Sequence, residues 1–493
     1  MTNTSTLHAT DFYKTGHREQ YPDNTTLVYA NLTPRSDKLA GPYSNGHIVW
    51  FGLQHYLKQL RDTWDRDFFQ QPVEQILSQY KRRLDTSLGG DHSVDHIRRL
   101  HDVGYLPLHI KALPEGTLVP MRVPVMTIYN TIPHTFWLTN YLETKLSQAL
   151  WKPTTIATTA YLYRTLFDHY ALLTGTDPQF VPFQGHDFSM RGMSPGRDDA
   201  LSGAGHLLSF VGTDTIPAID LLEDYYQADA ERELIGCSVS ATEHSVMSAG
   251  GQDDEIGTFH RLITHVYPKG IVSIVSDTWD FWQVMTTFVQ KLKSTILARE
   301  GKVVFRPDSS DPVKIICGDP DAPIGSPEYK GAVECLWDVF GGTTTSTGHR
   351  LLDSHVGLIY GDSITLQRAE AILSGLAAKG FASGNVVLGI GSFTYQYCTR
   401  DTYGFAVKAT YCEIDGVGRE IYKSPKTGDG MKTSARGLLK VVRDSSGQLT
   451  LVDRCGTIDE PDDVMRTVFL NGQLTVDDSL SCIRSRVQES RNR

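Results

Sequence analysis

The sequence is poor in cysteine and contains no cysteine motif for a metal. Its seven cysteines are scattered along 493 residues, and no two are spaced as in a C-x-x-C zinc site. This usage is typical of a protein from a reducing compartment. The first twenty residues carry no basic start followed by an apolar stretch, so we expect no secretion signal. The sequence therefore predicts a cytoplasmic protein without a structural zinc site.

Long apolar runs and an excess of basic charge are also missing. No run approaches 18 apolar residues, so no membrane span is expected. The formal net charge of -10 argues against general binding to nucleic acid or to membrane surfaces. With 40% hydrophobic and 21% charged residues, the composition is ordinary for a globular protein that can bury a large core.

Common nucleotide and hydrolase motifs are absent or lack their context. There is no G-x-x-x-x-G-K-[ST] and no strand followed by G-x-G-x-x-G, so neither a P-loop nor a Rossmann fold is indicated. Residues 192–196 spell G-x-S-x-G, but Pro195 has no N–H for an oxyanion hole, and no apolar strand precedes it. His92, His96 and His101 lie in a polar helical stretch, which favours a solvated face over a metal site.

The middle of the chain has a repeated rhythm. Four apolar runs, at residues 270–277, 302–308, 355–362 and 385–392, each end in polar residues, and helical patterns lie between them. Such alternation predicts parallel strands in an α/β fold. Polar residues at the carboxyl ends of these strands suit the active face of a β/α barrel. A doubly wound open sheet would bind ligands at the same ends, so both architectures remain open at this point.

The two ends of the chain have a different pattern. Strands are predicted at residues 26–30 and 106–113 and a helix at 134–150, while strand-like alternation returns at 405–414. We therefore predict three segments: residues 1–150 as the N-terminal part of an α+β domain, 151–394 as a β/α barrel catalytic domain, and 395–493 as the C-terminal part of the α+β domain.

Glycines and acids follow the predicted strands. Glycines in residues 360–363 and 388–392 could let backbone N–H groups approach a phosphate, although two ordinary turns would look the same. Four acids stand at or just after apolar runs: Asp214, Asp277, Asp308 and Asp362. They could accept from sugar hydroxyls or hold magnesium through water, or simply cap helices. Capping leaves Arg306, two residues before Asp308, without an explanation.

Two further clusters carry possible binding groups. Arg191 could hold a phosphate through paired hydrogen bonds, and Phe188 could stack on a flat ring or belong to the core. His244 follows Glu243 and could act as a phosphate acceptor, as a proton shuttle or as a plain surface residue.

Taken in order, these motifs resemble the nicotinamide phosphoribosyltransferase family of type II phosphoribosyltransferases. The matching motifs span residues 9–470 and lie at 9–14, 186–192, 212–215, 243–245, 276–277, 306–309, 361–362 and 399–401. The resemblance implies an irregular TIM-like β/α barrel plus a second α+β domain built from both chain ends. It also implies a homodimer with active sites at the subunit interface. The implied reaction joins nicotinamide to 5-phosphoribosyl 1-diphosphate, with Mg²⁺ and with ATP as a stimulating co-substrate.

The resemblance also implies roles for individual residues. The catalytic ones are His244, Asp308 and Arg306. Contacts to nicotinamide or its mononucleotide would come from Tyr13 of the other subunit, Phe188, Asp214, Arg306, Asp308, Gly361, Asp362, Gly391, Ser392 and Arg400. Diphosphate contacts would come from Arg191, His244, Arg306, Arg35 and Lys432. Other pocket residues would be His186, Ser238, Ser273, Asp277 and Lys408. His244 matches a histidine that is phosphorylated from ATP, and no protein ligand is assigned to magnesium, which the diphosphate would carry.

Three positions depart from the family pattern, and two rival functions remain. Ser392 and Ser310 stand where the family has glycine, and Ala406 stands where a hydroxyl can reach the phosphate. The rivals are a nicotinate phosphoribosyltransferase on the same fold and a non-catalytic phosphate-binding barrel. Asp214 favours nicotinamide over nicotinate, because it would accept from the amide N–H groups and repel a carboxylate.

Overall fold

The computed structural model describes residues 6–361, 363–422 and 435–491. Its strands, in chain order, are β1 Thr25–Thr33, β2 His47–Val49, β3 Leu108–Ala112, β4 Leu118–Pro120, β5 Met126–Asn130, β6 Gly185–Asp187, β7 Gly212–Thr213, β8 Ser240–Ala241, β9 Val272–Val275, β10 Val303–Arg306, β11 Gly342–Thr344, β12 Arg350–Leu352, β13 Val356–Tyr360, β14 Val386–Ile390, β15 Ala406–Ile414, β16 Val417–Glu420, β17 Leu438–Arg443, β18 Leu449–Cys455, β19 Arg466–Leu470 and β20 Gln473–Leu474.

The helices are α1 Phe12–Thr15, α2 His17–Gln20, α3 Leu53–Trp64, α4 Val73–Leu88, α5 Asp95–Val103, α6 Leu138–Tyr141, α7 Glu143–Thr174, α8 Val181–Gln184, α9 Asp198–His206, α10 Ile216–Tyr226, α11 His244–Ala249, α12 Glu255–Arg261, α13 Phe281–Gln283, α14 Val289–Leu297, α15 Pro312–Cys317, α16 Pro327–Lys330, α17 Ala332–Phe340, α18 Leu366–Ala378, α19 Ser392–Tyr395 and α20 Leu480–Arg491. None of the helices in the described ranges combines the length and the apolar character needed to cross a lipid bilayer.

The chain forms two compact units. The terminal unit contains Met1–Thr158, Asp224–Ala228 and Cys398–Arg493, and the central unit contains Thr159–Glu223 and Asp229–Tyr397. The two ends of the chain therefore fold into one unit, while most of the middle of the chain forms the other.

The central unit is built on a parallel sheet of seven strands. Their order is β7-β6-β14-β13-β10-β9-β8, and each neighbouring pair runs in parallel. Short apolar sequences such as those of β9 and β13 are buried along their whole length, as expected for strands covered on both faces. The predicted α/β fold with parallel strands is confirmed, and the carboxyl ends of these strands lie at one edge.

The terminal unit contains a seven-stranded sheet whose strand pairs are antiparallel, in the order β16-β15-β1-β5-β3-β19-β20. In this sheet β1 pairs with β15, so that residues near both ends of the chain share one ladder. The core of this unit contains large aromatic side chains, among them Trp50, Trp64 and Phe68.

One predicted helix is much longer than the sequence suggested. In place of a single helix at residues 134–150, the chain forms a 3-10 turn at Pro133–Thr135, then α6, and then α7, which continues through Pro153. An internal proline removes one helical hydrogen bond and costs about 3 kcal/mol. Leu146, Leu150 and Ile156 on this helix are buried, and such packing outweighs the local cost.

The assignment of His96 to a solvated face was wrong. Its imidazole is buried on α5 with its ring 4.9 Å from that of Trp137, edge to face. Burial, together with the positive charge of Arg18, lowers the pKa of His96 to about 4. A single apolar contact face on a polar helix is enough to take one of its histidines out of water.

Within the described ranges, no group of three or more His, Cys, Asp or Glu residues could hold a metal ion.

Candidate active site

Polar residues collect where the parallel strands of the central unit end. Asp214 follows β7, Asp277 stands two residues after β9, Arg306 ends β10, and Gly361 and Gly391 directly follow β13 and β14. Because parallel strands present their carboxyl ends at the same edge of a sheet, these residues share one face of the unit. This edge is the candidate active site.

One side of the site, the aromatic end, consists of His186, Phe188, Asp214 and Ser238. His186 Nε2 donates to Asp214 Oδ1 over 2.9 Å, and the Ser238 hydroxyl donates to the same oxygen over 2.5 Å. Burial alone would raise the pKa of Asp214, but these two hydrogen bonds and the charge of Arg306 outweigh it, and the pKa is lowered. Asp214 is therefore an ionised acceptor at neutral pH.

The Phe188 ring lies beside this carboxylate. The Phe188 N–H donates to the Ile390 carbonyl over 3.0 Å, which fixes the backbone, and the ring centroid lies 4.4 Å from that of His186. Both rings line a cavity of about 340 Å³, whose wall also contains Asp214 and Ser273. The Ser273 hydroxyl is buried and has no hydrogen-bond partner in the described part of the chain. A mostly apolar cavity with a few polar groups suits a flat ring that carries one polar substituent.

The other side of the site, the charged end, consists of His244, Asp277, Arg306 and Asp308. Arg306 is only 13% exposed and donates from Nη2 to the Thr242 carbonyl over 2.7 Å. Its Nε lies 3.6 Å from Asp308 Oδ2 and has no hydrogen-bond partner among the described residues. A buried guanidinium with an unused N–H is a strong site for an anionic ligand, because leaving such a group unpaired is costly.

His244 stands at the start of α11 and is about half exposed. Its Nε2 lies 3.8 Å from Asp308 Oδ2 and 3.9 Å from Asp277 Oδ1, beyond hydrogen-bonding distance in both cases. Its Nδ1 lies 3.4 Å from the Thr278 hydroxyl. The imidazole thus faces two carboxylates without being locked to either of them.

Asp277 holds the loop that follows β10. Its Oδ2 accepts from the N–H groups of Asp308 (2.9 Å) and Ser309 (2.8 Å) and from the Ser309 hydroxyl (2.6 Å). Its Oδ1 is buried and has no hydrogen-bond partner in the described ranges. One half of this carboxylate is therefore structural, and the other half faces the site.

The same loop contains Ser310, a serine in a backbone conformation that is unfavourable for any residue except glycine. Ser310 has φ of 75°, in the left-handed region that favours glycine. The Tyr360 hydroxyl contacts the carbonyl oxygens of Ser309 (3.0 Å) and Ser310 (2.8 Å), where it can donate. The turn is thus held by side chains on both sides, which lets a serine adopt a glycine-like conformation.

Two glycines are required at this edge by close approach. A Cβ on Gly361 would lie 2.4 Å from Asp308 Oδ1, and a Cβ on Gly192 would lie 2.1 Å from the Ser392 Oγ. Arg191, next to Gly192, is exposed. Any larger residue at 361 would displace the Asp308 carboxylate.

The predicted site residues divide between the two units. Those in the central unit are His186, Phe188, Arg191, Asp214, Ser238, Ser273, His244, Asp277, Arg306, Asp308, Gly361, Gly391 and Ser392. Those in the terminal unit are Tyr13, Arg35, Arg400 and Lys408. Asp362 and Lys432 lie outside the described residues.

In the terminal unit, the predicted basic residues lie around the start of β15. Arg35 Nε donates to the Gly404 carbonyl over 2.9 Å, and Arg400 lies 3.4 Å from Asp401. Lys408 is an exposed residue of β15. Tyr13 lies on α1 and is 61% exposed.

Sequence patterns missed several supporting residues. Thr242 contributes its carbonyl to Arg306, and Tyr360 contributes its hydroxyl to the loop after β10. A backbone carbonyl has no signature in the sequence, and a tyrosine ending an apolar run looks like any core residue. Ser309 was the detectable one, because it directly follows Asp308 in the Arg-Pro-Asp-Ser motif.

Together, the fold and the site define an α/β protein with a mostly apolar pocket, lined by aromatic rings and by Arg306, at the carboxyl ends of a parallel sheet. The profile of the "Nicotinate phosphoribosyltransferase (NAPRTase) family" matches residues 183–473, and that of the "Nicotinamide phosphoribosyltransferase, N-terminal domain" matches residues 5–110. The chain belongs to the nicotinate phosphoribosyltransferase family.

Curated relatives support the resemblance found in the sequence. The chain is 57% identical over 493 residues to a protein of Acinetobacter baylyi named "Nicotinamide phosphoribosyltransferase", covering 98% of this chain and 97% of the relative. It is 33% identical to a protein of the same name from Xanthomonas campestris pv. campestris, covering 98% of each. The predicted family resemblance is thus confirmed.

Solved structures with low sequence identity share the fold. The crystal structure of nicotinate-nucleotide pyrophosphorylase from Pyrococcus furiosus is similar with a TM-score of 0.58 at 15% identity, covering 100% of this chain and 97% of that one. Human nicotinic acid phosphoribosyltransferase is similar with a TM-score of 0.54 at 14% identity, covering 98% and 94%.

Proposed function

We propose that this chain is a nicotinamide phosphoribosyltransferase. It transfers the phosphoribosyl group of 5-phosphoribosyl 1-diphosphate to nicotinamide and releases nicotinamide mononucleotide and diphosphate. The ring nitrogen of nicotinamide forms a bond to C1 of the ribose, while the C1–O bond breaks and the diphosphate leaves with its electron pair. That nitrogen carries no proton, so no general base is required. The names of the 57% and 33% identical relatives support this assignment.

The observation that carries the proposal is the ionised Asp214 beside the Phe188 ring. A pyridine ring stacked on Phe188 would place its amide near this carboxylate, which can accept from N–H groups only. Nicotinamide offers such donors, whereas nicotinate would bring a second negative charge. The site is therefore suited to the amide.

The charged end suits the other substrate. As the C1–O bond breaks, negative charge grows on the leaving diphosphate and positive charge on the ribose. We assign the diphosphate to the unused N–H of Arg306, together with Arg191, and the ribose hydroxyls to Asp308. Gly361 and Gly391, which directly follow β13 and β14, and Ser392, which begins α19, would approach the 5′-phosphoribosyl part. Holding both substrates in line supplies much of the rate enhancement.

We also propose that ATP stimulates the reaction through His244. Transfer of the γ-phosphoryl group to an imidazole nitrogen would release ADP. The half-exposed ring near two carboxylates supports this role, because it is open to a nucleotide and can be oriented by Asp277. Acid-labile phosphate on His244 after incubation with ATP, absent in His244→Ala, is the expected result; equal labelling of both proteins would contradict it.

Magnesium is best regarded as part of the diphosphate substrate. Among the described residues no ligand cluster is present, and one oxygen of Asp277 is already used by three donors. Mg²⁺ keeps several waters and is commonly bound through one or two carboxylates plus substrate phosphates.

We propose a cytoplasmic homodimer in which Tyr13 and Arg400 of the other subunit complete each site. Arg35, Lys408 and Lys432 would add positive charge near the phosphates. We also propose that the parallel sheet closes into an irregular barrel, which the parallel bridge between Gly212 of β7 and Cys237, just before β8, supports.

The alternative is a nicotinate phosphoribosyltransferase. The matching family profile and the human structural relative are both named for that activity. The test supplies the purified chain with 5-phosphoribosyl 1-diphosphate, Mg²⁺ and either pyridine, with and without ATP, and separates the products. We expect nicotinamide mononucleotide and diphosphate, with a clear preference for nicotinamide. A preference for nicotinate would favour the alternative. No product from either pyridine would favour a non-catalytic phosphate-binding protein.

A further inference from the structure

His186 makes two different kinds of contact at the aromatic end. Its Nε2 donates to Asp214 Oδ1 over 2.9 Å, so that the edge of the ring fixes the carboxylate. Its ring lies 4.4 Å from the Phe188 ring with an interplanar angle of 35°, so that its face supports the aromatic platform. The side chain is 9% exposed, and both contacts are made by one buried group.

The carboxylate of Asp214 is held from one side only. Within the described residues, both hydrogen bonds to its side chain end on Oδ1, from His186 and from Ser238. Oδ2 is then the oxygen available to a ligand in the cavity that Asp214 lines. A donor that saturates Oδ1 also sets the plane in which Oδ2 can accept.

We propose that His186 is a positioning residue that couples ring binding to amide recognition, with its imidazole face supporting Phe188 and its Nε2–H orienting Asp214 toward the carboxamide. This inference rests on the proposed function and deepens it. Discrimination between nicotinamide and nicotinate then depends on three side chains, Phe188, His186 and Asp214, and His186 contacts both of the others.

The two contacts have separable consequences. Without the Nε2 donor, Asp214 can rotate and can take up a proton in its partly buried setting. A protonated acid can donate to a carboxylate, so nicotinate would be rejected less strongly. Without the aromatic face, Phe188 loses its support, and both pyridines should bind more weakly by the same factor, because their rings are alike.

Two substitutions separate the contacts. His186→Phe keeps a ring behind Phe188 and removes the donor. His186→Gln keeps an N–H donor at a similar reach and removes the ring. A matched control is His206→Phe, since His206 is also a buried histidine of the central unit, stacked on Phe210 and hydrogen-bonded to the Tyr395 hydroxyl and the Gly212 carbonyl. His206 does not line the cavity.

The readouts are kcat and KM with each pyridine, and the affinity for each pyridine by calorimetry. For His186→Phe we expect the nicotinamide-to-nicotinate ratio of kcat/KM to fall about tenfold, since a hydrogen bond to a charged group is lost. For His186→Gln we expect KM to rise about three- to tenfold for both pyridines, with the ratio nearly unchanged. His206→Phe should lower stability and leave the ratio as in the wild type.

Several outcomes would overturn the inference. One is an unchanged ratio in His186→Phe, another is an equal change of ratio in both His186 variants, and a third is the same change in His206→Phe. If His186→Phe does not fold, Ser238→Ala removes the other donor from an exposed position and must lower the ratio in the same direction. If the wild type forms no mononucleotide, the proposed function fails, while the calorimetric affinities still test the coupling. No measurable binding of either pyridine would overturn the coupling itself.

Discussion

The two ends of the candidate active site differ in how their charged side chains are paired. At the aromatic end, Asp214 accepts two hydrogen bonds from neighbouring side chains and is fixed before any ligand arrives. At the charged end, Arg306 Nε and Asp277 Oδ1 are buried without a hydrogen-bond partner in the described ranges. Buried polar atoms are rarely left unpaired unless something else satisfies them.

This difference matches the ligands that we assign to the two ends. A neutral amide needs one well-placed acceptor, and a prearranged carboxylate supplies it without cost at the moment of binding. A diphosphate brings its own charge, and donors kept unpaired in the free protein gain most when it arrives. We therefore propose that the aromatic end selects the pyridine and that the charged end binds the diphosphate most tightly as its charge grows.

The largest expected effect is the loss of the charged end. Arg306→Ala should lower kcat/KM about 100- to 1,000-fold, because it removes a buried donor from the leaving group. Initial rates of mononucleotide formation measure this. Arg306→Lys keeps the charge but lacks the planar fork, so it should recover only part of the activity. Equal activity of Arg306→Ala and the wild type would show that the diphosphate binds elsewhere.

Asp277 Oδ2 accepts three hydrogen bonds from the loop after β10, and breaking them should affect both stability and activity. Asp277→Asn places an amide among three donors and should lower the free energy of unfolding by about 1–3 kcal/mol. Urea unfolding followed by circular dichroism measures this. Ser309→Ala removes one of the three bonds and is expected to cost about 1 kcal/mol. An Asp277→Asn variant as stable as the wild type would show that the loop does not depend on the Asp277 carboxylate.

Changing the aromatic end should alter selection more than rate. Asp214→Asn should reduce the preference for nicotinamide over nicotinate about tenfold, because an amide no longer repels a carboxylate. The kcat/KM values for the two pyridines give the ratio. A variant that lost activity equally with both substrates would assign Asp214 to catalysis or folding and not to selection.

The same comparison predicts how selection depends on pH. The pKa of Asp214 is lowered, so its ionised form is favoured in the folded state. The stabilisation from its hydrogen bonds is present above the ordinary carboxyl pKa and is lost only as the pH falls through the lowered value. The nicotinamide-to-nicotinate ratio should therefore stay constant from about pH 8 to about pH 5. A ratio that falls steadily over this range would contradict an ionised, hydrogen-bonded Asp214.

The smallest expected effect is at the strained serine. Ser310→Gly relieves a left-handed backbone conformation that costs roughly 1 kcal/mol. It also raises the conformational entropy of the unfolded chain, which destabilises the folded state by a similar amount. We expect a change in unfolding free energy within about 0.5 kcal/mol, measured by urea unfolding. Tyr360→Phe is the informative companion, since it removes the hydroxyl that contacts two carbonyls of the turn. A loss of more than about 1 kcal/mol in Ser310→Gly would show that the serine side chain itself stabilises the loop.

The parts of the fold that could be predicted are those encoded over a few adjacent residues. Strands such as Val272–Val275 and Val303–Arg306 are short apolar runs followed at once by polar residues, and their parallel pairing follows from the helices between them. Helix α7 could not be predicted in full, because its continuation through Pro153 depends on burial of residues far apart in sequence. Local rules would end the helix there.

The same limit applies to the site. Residues whose side-chain type indicates a binding role, such as Arg306 and Asp308, could be named from the sequence. The partners that hold them could not, because Asp277 binds N–H groups 31 and 32 residues away and Arg306 binds a carbonyl 64 residues away. Backbone groups are present at every residue, so only the folded geometry selects the ones that are used.

The contact between Gly192 and Ser392 has a consequence for how this sequence can change over evolutionary time. A Cβ at position 192 would overlap the Ser392 side chain, whereas a glycine at 392 would leave room for it. Position 392 must therefore become smaller before position 192 can become larger. The two sites form an ordered pair of substitutions, in which one order avoids the steric overlap and the other passes through it.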